Sequence, residues 1–142
     1  MVQKARNLYQ PKIMDESILA FHRLQGMNAH MSEANQFESH STYEIYFFEE
    51  GQCKYFIQNK IYELEPGDII LLDGLTLHKS NTESPDTYVR SMIHFSPTWL
   101  EEMLPMLGIP NLLDPFQKLN NCILRTGYDS SGQYVAEKMK WI

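Results

Sequence analysis

Cysteine, basic charge and long apolar runs are all scarce in this 142-residue sequence. Only two cysteines occur, Cys53 in a predicted strand and Cys122 in a later segment leading toward a helix. Such unlike contexts suit reduced, structural thiols and not a disulfide framework. No stretch approaches the roughly 18 consecutive apolar residues of a membrane helix, and Met1 to Gln10 are too polar for a signal peptide. No membrane partner is therefore expected, and the chain is expected to stay in the cytoplasm. Twelve Lys and Arg stand against 18 Asp and Glu, a formal charge of −6. A domain that grips a phosphate backbone carries a clustered basic face, whereas Lys4, Arg6, Lys138 and Lys140 are few and scattered. They read as solvated surface, so these residues are not expected to bind DNA themselves. Missing too are a Gly-x-Ser-x-Gly elbow, a paired-cysteine motif, a P-loop and a dinucleotide fingerprint. Any catalysis would have to depend on a metal.

What is present is a 43% hydrophobic composition, enough for one buried core. Residues 1–17 are polar and aperiodic and read as an arm. Ile18 to Gln25 fits a strand or a short helix, and residues 26–36 read as loop. The pattern then sharpens. Ser41 to Glu50 (STYEIYFFEE) is a strand with bulky apolar residues on both faces, so both faces should be covered. Cys53 to Gln58 and Ile61 to Leu64 read as a hairpin joined through Asn59-Lys60. In Glu65-Pro66-Gly67-Asp68, proline pre-sets the first central torsion of a β-turn and glycine supplies the positive φ of a type II turn. Ile69 to Leu72, Leu77 to Ser80 and Tyr88 to Phe95 follow as strands, with Asp73-Gly74 as a further turn. Six or more short strands with frequent turns argue for an all-β sandwich or barrel.

Past Phe95 the period becomes helical. Ser96-Pro97 is a cap followed by a first-turn proline, and Trp99, Leu100, Met103, Leu104 and Leu107 recur at helical spacing before Gly108. Ser130-Ser131-Gly132-Gln133 reads as a capping box opening a helix that carries Tyr134, Val135, Met139 and Ile142. No terminator follows that helix, which suggests a piece of a longer protein. The expected organisation is an arm (1–17), a barrel (18–96) and a helical segment (97–142).

Alternate strand residues share a face, so Glu38, His40, Thr42, Glu44, Tyr46 and Phe48 should project together. This row resembles the first cupin motif: His40, Glu44 and Gly51 keep its spacing, with Glu38 where the motif begins on a further His. Pro66-Gly67-Asp68 and His78 resemble the second motif, although Asp73 and Leu75 replace its internal Pro and Gly. Among cupins the sequence most resembles the N-terminal domain of AraC-family transcription regulators. That resemblance rests on Tyr43-Glu44-Ile45, Gly51, Pro66-Gly67-Asp68-Ile69, His78 and His94-Phe95-Ser96-Pro97. It implies a mainly β fold, a cupin-like antiparallel β-barrel (double-stranded β-helix) followed by C-terminal α-helices. It further implies a small-molecule effector, often a sugar, inside the barrel, and a homodimer through the helices. DNA would be bound only by a helix-turn-helix half, of which nothing is present before Ile142.

The residues expected to contact the effector are Glu38, His40, Glu44, His78, Arg90 and Met92. By resemblance the row Tyr88, Arg90, Met92 and His94 lines the cavity. A guanidinium pointing inward is costly unless paired, so Arg90 should meet Glu38, Glu44 or an anionic or hydroxylated ligand. His78 and His94 are equally compatible with satisfied core or rim positions, and His22 and His30, outside the motifs, read as ordinary surface or core. The competing reading is a metal-dependent cupin isomerase or dioxygenase with Glu38, His40, Glu44 and His78 as ligands. Because Glu38 stands in for a His, the favoured expectation is a sensor with no cofactor and no catalysis.

Overall fold

A computed structural model describes residues 19–25, 37–119 and 121–141. The expected arm, the whole 26–36 loop with His30, and Ile142 lie outside these residues. The strands are β1 (Ala20–Gln25), β2 (Tyr43–Glu50), β3 (Lys54–Ile57), β4 (Lys60–Glu63), β5 (Ile69–Leu72), β6 (His78–Asn81), β7 (Val89–Phe95) and β8 (Ile123–Leu124). The helices are α1 (Pro97–Met103), α2 (Asp114–Lys118) and α3 (Ser130–Lys140). All named strand pairs are antiparallel, in a five-stranded sheet of order β1-β7-β2-β5-β8 and a three-stranded sheet of order β4-β3-β6. The fold is thus mainly β with helices after the last long strand, as the sequence leads one to expect.

Apolar residues on both faces of β2 produce two cores. Tyr46 and Phe48 point between the sheets and pack with Tyr55, Ile57, Ile70, Leu72 and Tyr88. Phe47 points the other way and joins Ile69, Leu71, Ile93 and Phe95 under Leu104, Leu113, Phe116 and Met139 of the helical segment. Phe47, Phe48, Ile70 and Leu72 have no exposed surface, and each buried side chain of this size contributes about 1.5–3 kcal/mol. The Phe116 ring stacks on Tyr43 with centroids 5.0 Å apart and meets Phe95 edge-on at 5.4 Å.

Local signals hold with small displacements. The Pro66-Gly67 turn forms as expected, with Gly67 at φ +98 and the Asp68 amide donating to the Glu65 carbonyl at 2.9 Å. The Ser96 hydroxyl caps α1 by accepting from the Trp99 amide at 3.3 Å. The β3–β4 hairpin turns at Gln58-Asn59 instead of Asn59-Lys60, because Ile57 pairs with Lys60 and Gln58 takes the positive φ (+54). Helix α3 is capped by Asp129, whose carboxylate accepts from the Gly132 amide at 2.6 Å, one residue before the expected capping box. Carboxylate and hydroxyl caps are nearly equivalent, and here the aspartate takes the position. Within the ambiguous 18–25 segment, Ala20–Gln25 is strand β1, held at the sheet edge by β7.

The helical segment is tied to the barrel through its own short strand and a threonine. β8 pairs with β5, and the Thr126 hydroxyl donates to the Gly67 carbonyl at 2.6 Å.

Candidate functional site

Register decides which side chains meet between the sheets. On β7, Arg90, Met92 and His94 stand opposite Phe48, Tyr46 and Glu44 of β2, and opposite Leu24, His22 and Ala20 of β1. Paired residues share a face, so the expected row of β7 does line the inner side. From the second sheet, His78 enters at the start of β6, stacked in parallel with the Tyr55 ring at 6.4 Å.

Three imidazoles converge on one oxygen. Glu44 Oε2 accepts from His40 Nε2 at 3.2 Å and lies 3.7 Å from His78 Nε2 and 3.8 Å from His94 Nε2. Glu44 is only 3% exposed. Burial works against its ionisation, but the hydrogen bond from His40 and the close approach of His78 and His94 outweigh that penalty. The carboxyl is therefore held well below the usual carboxylate range. His78 responds in the opposite sense to its own burial. Burial alone would lower its pKa, yet the Glu44 carboxylate and the Thr76 carbonyl raise it. Its Nδ1 donates to Thr76 O at 2.7 Å, leaving buried Nε2 facing Glu44 without a hydrogen-bond partner. For His94, burial and the neighbouring His40, His22 and His78 lower the pKa, with Glu44 pulling the other way.

A second polar group sits deeper. The Tyr46 and Tyr88 hydroxyls hydrogen-bond each other, and the Cys53 thiol lies 3.9 and 3.7 Å from them. Burial pushes both tyrosines above their usual range, helped at Tyr46 by Tyr88, Cys53 and Tyr55 and opposed at Tyr88 by Ser80, Tyr46 and Arg90, so both stay neutral. Beside them the Arg90 guanidinium lies over the Tyr88 ring, 4.3 Å from its centroid.

Of the residues expected to form the site, His40, Glu44 and His78 come together. Met92 shares their inner face and packs against the inter-sheet core. Glu38 is exposed and bridges His78 through backbone hydrogen bonds, so it is not part of the buried cluster. Among the described residues no ion pair joins Arg90 to a carboxylate: Glu44 stands opposite His94, four residues along β7, and Arg90 Nη1 is buried with no hydrogen-bond partner. Two cluster members were not among the residues expected to contact the effector. His94 was visible in the alternation of β7 as the fourth member of the Arg90 row. His22, whose ring lies 6.0 Å from that of His94, gave no local signal, since only the β1–β7 pairing brings it there.

His40, Glu44 and His94 present ligand atoms all within 4.8 Å of one another. Two imidazoles and a carboxylate suit a divalent transition metal. This set differs from the one expected, with His94 in place of Glu38 and His78.

Sequence comparison then decides the family. The family model of the AraC-like ligand binding domain matches residues 28–130, most of the chain. The chain belongs to the AraC-like ligand-binding domain family. Membership places it with the ligand-binding domains of regulators rather than with enzymes. No curated protein matches the chain. Among solved structures, an AraC-like fold is echoed by ToxT from Vibrio cholerae: one structure superimposes with a TM-score of 0.51 at 13% identity, covering 86% of this chain and 46% of that one. A second ToxT structure, from strain O395, gives 0.51 at 14% identity over 89% of this chain and 46% of that one. At such identity the likeness establishes the fold, a cupin-like β-sandwich followed by helix. The AraC-like chain spans less than half the length of these ToxT chains. No described helix is long and apolar enough to cross a membrane.

Proposed function

We propose that this AraC-like domain senses a small polyhydroxylated molecule, of the carbohydrate class, and pairs two subunits of a transcription regulator through its helical segment. The observation that carries the reading is the convergence of His40, His78 and His94 on Glu44 inside the sandwich. A buried carboxylate is a bidentate acceptor and imidazoles can donate or accept, which is the chemistry that hydroxyl groups need. His40 and His94 keep 25% and 18% of their side-chain surface exposed, so this end of the inter-sheet space meets solvent. The Tyr55 ring and Met92 offer apolar surface for the C–H face of a sugar. DNA contact would fall to a part of the regulator outside this chain.

Binding is tested by following the thermal midpoint of the purified domain against a panel of aldoses, polyols and sugar acids. A binder raises the midpoint by linkage, and Glu44→Gln removes that rise while the fold persists. If no member of the panel moves the midpoint, the sensing reading fails.

Pairing through the helices is supported by the apolar side chains that the segment leaves exposed, Met106 and Trp141 to 86% and 81%, and Leu107, Leu112 and Tyr134 by more than half. Exposed apolar area of this kind marks interaction surfaces. Sedimentation should show a dimer that Leu107→Asp dissociates, and a wild-type monomer at all concentrations would overturn pairing.

The grouping of His40, Glu44 and His94 favours one second reading, a metal-dependent cupin enzyme. Near-stoichiometric iron, manganese, nickel or zinc in the purified protein, lost in His94→Ala, would select it.

A further inference from the structure

Arg90 is a buried permanent cation with no ion-pair partner among the described residues. It is 6% exposed, and its Nη1 is buried with no hydrogen-bond partner. A guanidinium does not shed its proton at any ordinary pH, so the charge stays. Its neighbours by register are Phe48 on β2 and Leu24 on β1, both apolar. The nearby Tyr46, Tyr88 and Cys53 are neutral groups that screen the charge without cancelling it. The one carboxylate at the heart of the inner face, Glu44, stands opposite His94, four residues along β7 and about 13 Å of backbone from Arg90. An uncompensated buried charge strongly destabilises the folded state.

We propose that the missing counter-charge belongs to the effector: the ligand is an organic monocarboxylate, a sugar acid such as an aldonate or uronate. Its carboxylate pairs with the Arg90 guanidinium, with the Tyr46 and Tyr88 hydroxyls alongside as neutral donors. Its hydroxyl-bearing end faces the Glu44 and histidine cluster. Met92 lies between the two ends on the same face, and an unbranched thioether is the side chain most able to move aside. Arg90 is the sole buried Lys or Arg among the described residues, which fits a monoanion and not a phosphate ester. This inference rests on the sensing reading above and specifies its ligand.

The test uses gluconate, glucuronate and galacturonate beside glucose, galactose and glucose 6-phosphate, each titrated by calorimetry into wild-type protein, Arg90→Met and Arg90→Lys. At least one of the three acids should bind wild type 100-fold or more tightly than its neutral counterpart and the phosphate ester. Arg90→Met should lose that preference, and Arg90→Lys, which keeps the charge without the planar fork, should retain part of it. The unliganded Arg90→Met protein should melt no lower than wild type, since methionine removes an unpaired buried charge and leaves a similar apolar stem. A neutral sugar binding as tightly as its acid would overturn the charge inference and leave carbohydrate sensing standing. If none of the three acids binds, or if unliganded Arg90→Met melts several degrees lower, the assignment of an effector carboxylate to Arg90 is wrong.

Discussion

Gly74 and His40 are in such close contact that the glycine makes the histidine's position possible. The His40 amide donates to the Gly74 carbonyl at 2.8 Å. A Cβ built on Gly74 would stand 2.5 Å from His40 Nδ1 and 2.6 Å from its carbonyl oxygen, and the backbone there has φ +80. Gly74→Ala should therefore cost about 1–3 kcal/mol in urea unfolding and push His40 off Glu44. Nitrogen-15 shifts of the His40 ring would report the displacement. An alanine variant with wild-type stability and unmoved ring signals would contradict this.

Phe116 holds the helical segment to the outer face of the five-stranded sheet. Removing a ring that stacks on Tyr43 and abuts Phe95 leaves a cavity beneath α2, and Phe116→Ala should lose about 3–5 kcal/mol. Equilibrium denaturation measures this directly. A loss below about 1 kcal/mol would mean that the ring is replaced by collapse of its neighbours.

Strand β1 should loosen in acid. Arg23 of β1 pairs with Glu49 at 3.1 Å, and Glu49 also accepts from the Ser91 hydroxyl of β7 at 2.6 Å. Burial tends to raise the Glu49 pKa, but Arg23 and Ser91 together lower it below its usual 4.5. A lowered carboxylate contributes stability that is full above 4.5 and is lost as pH falls through its folded value. Because Arg23 is largely exposed, water and salt screen the link and its contribution to stability is small. Protection factors for β1 amides in hydrogen exchange should fall by up to about fivefold between pH 6 and pH 3, relative to β2. In Glu49→Gln they should be low throughout, and an equal acid response in the variant would disprove the linkage.

Thr126 fastens the segment after β8 to the turn before β5. Its hydroxyl donates to the Gly67 carbonyl, and the residue is buried. Thr126→Val keeps the shape and deletes the donor, so the midpoint should drop by the equivalent of about 1 kcal/mol. Thr126→Ser should keep most of the stability. If serine and valine behave alike, the hydrogen bond contributes nothing.

Where the chain's own chemistry acts over a few residues, the sequence was readable. Pro66-Gly67, Ser96-Pro97 and the two-faced apolar run of β2 each specify a local structure with few alternatives. The slip of the hairpin to Gln58-Asn59 shows where that reading weakens. A glutamine with φ +54 has no sequence signature, and only the cross-strand register demands it. The site divides in the same way. His40, Glu44 and His78 lie within spaced motifs, whereas His22 reaches the cluster through pairing of strands far apart in the chain. Arg90 could be assigned to the inner face from alternation, but that its Nη1 is buried without a hydrogen-bond partner is a property of the packing.

Strand β2 carries Glu44 and Tyr46 on its inner side and Tyr43, Ile45 and Phe47 on its outer side, where the helices lie. The histidine cluster and the helix cover are therefore separated by a single peptide thickness, with no intervening loop. A close-packed interior yields little to compression. Any rocking of this strand that accommodates a molecule at Glu44 would displace Phe47 and the rings stacked beyond it, so the wall of the sandwich works as a diaphragm between its two sides.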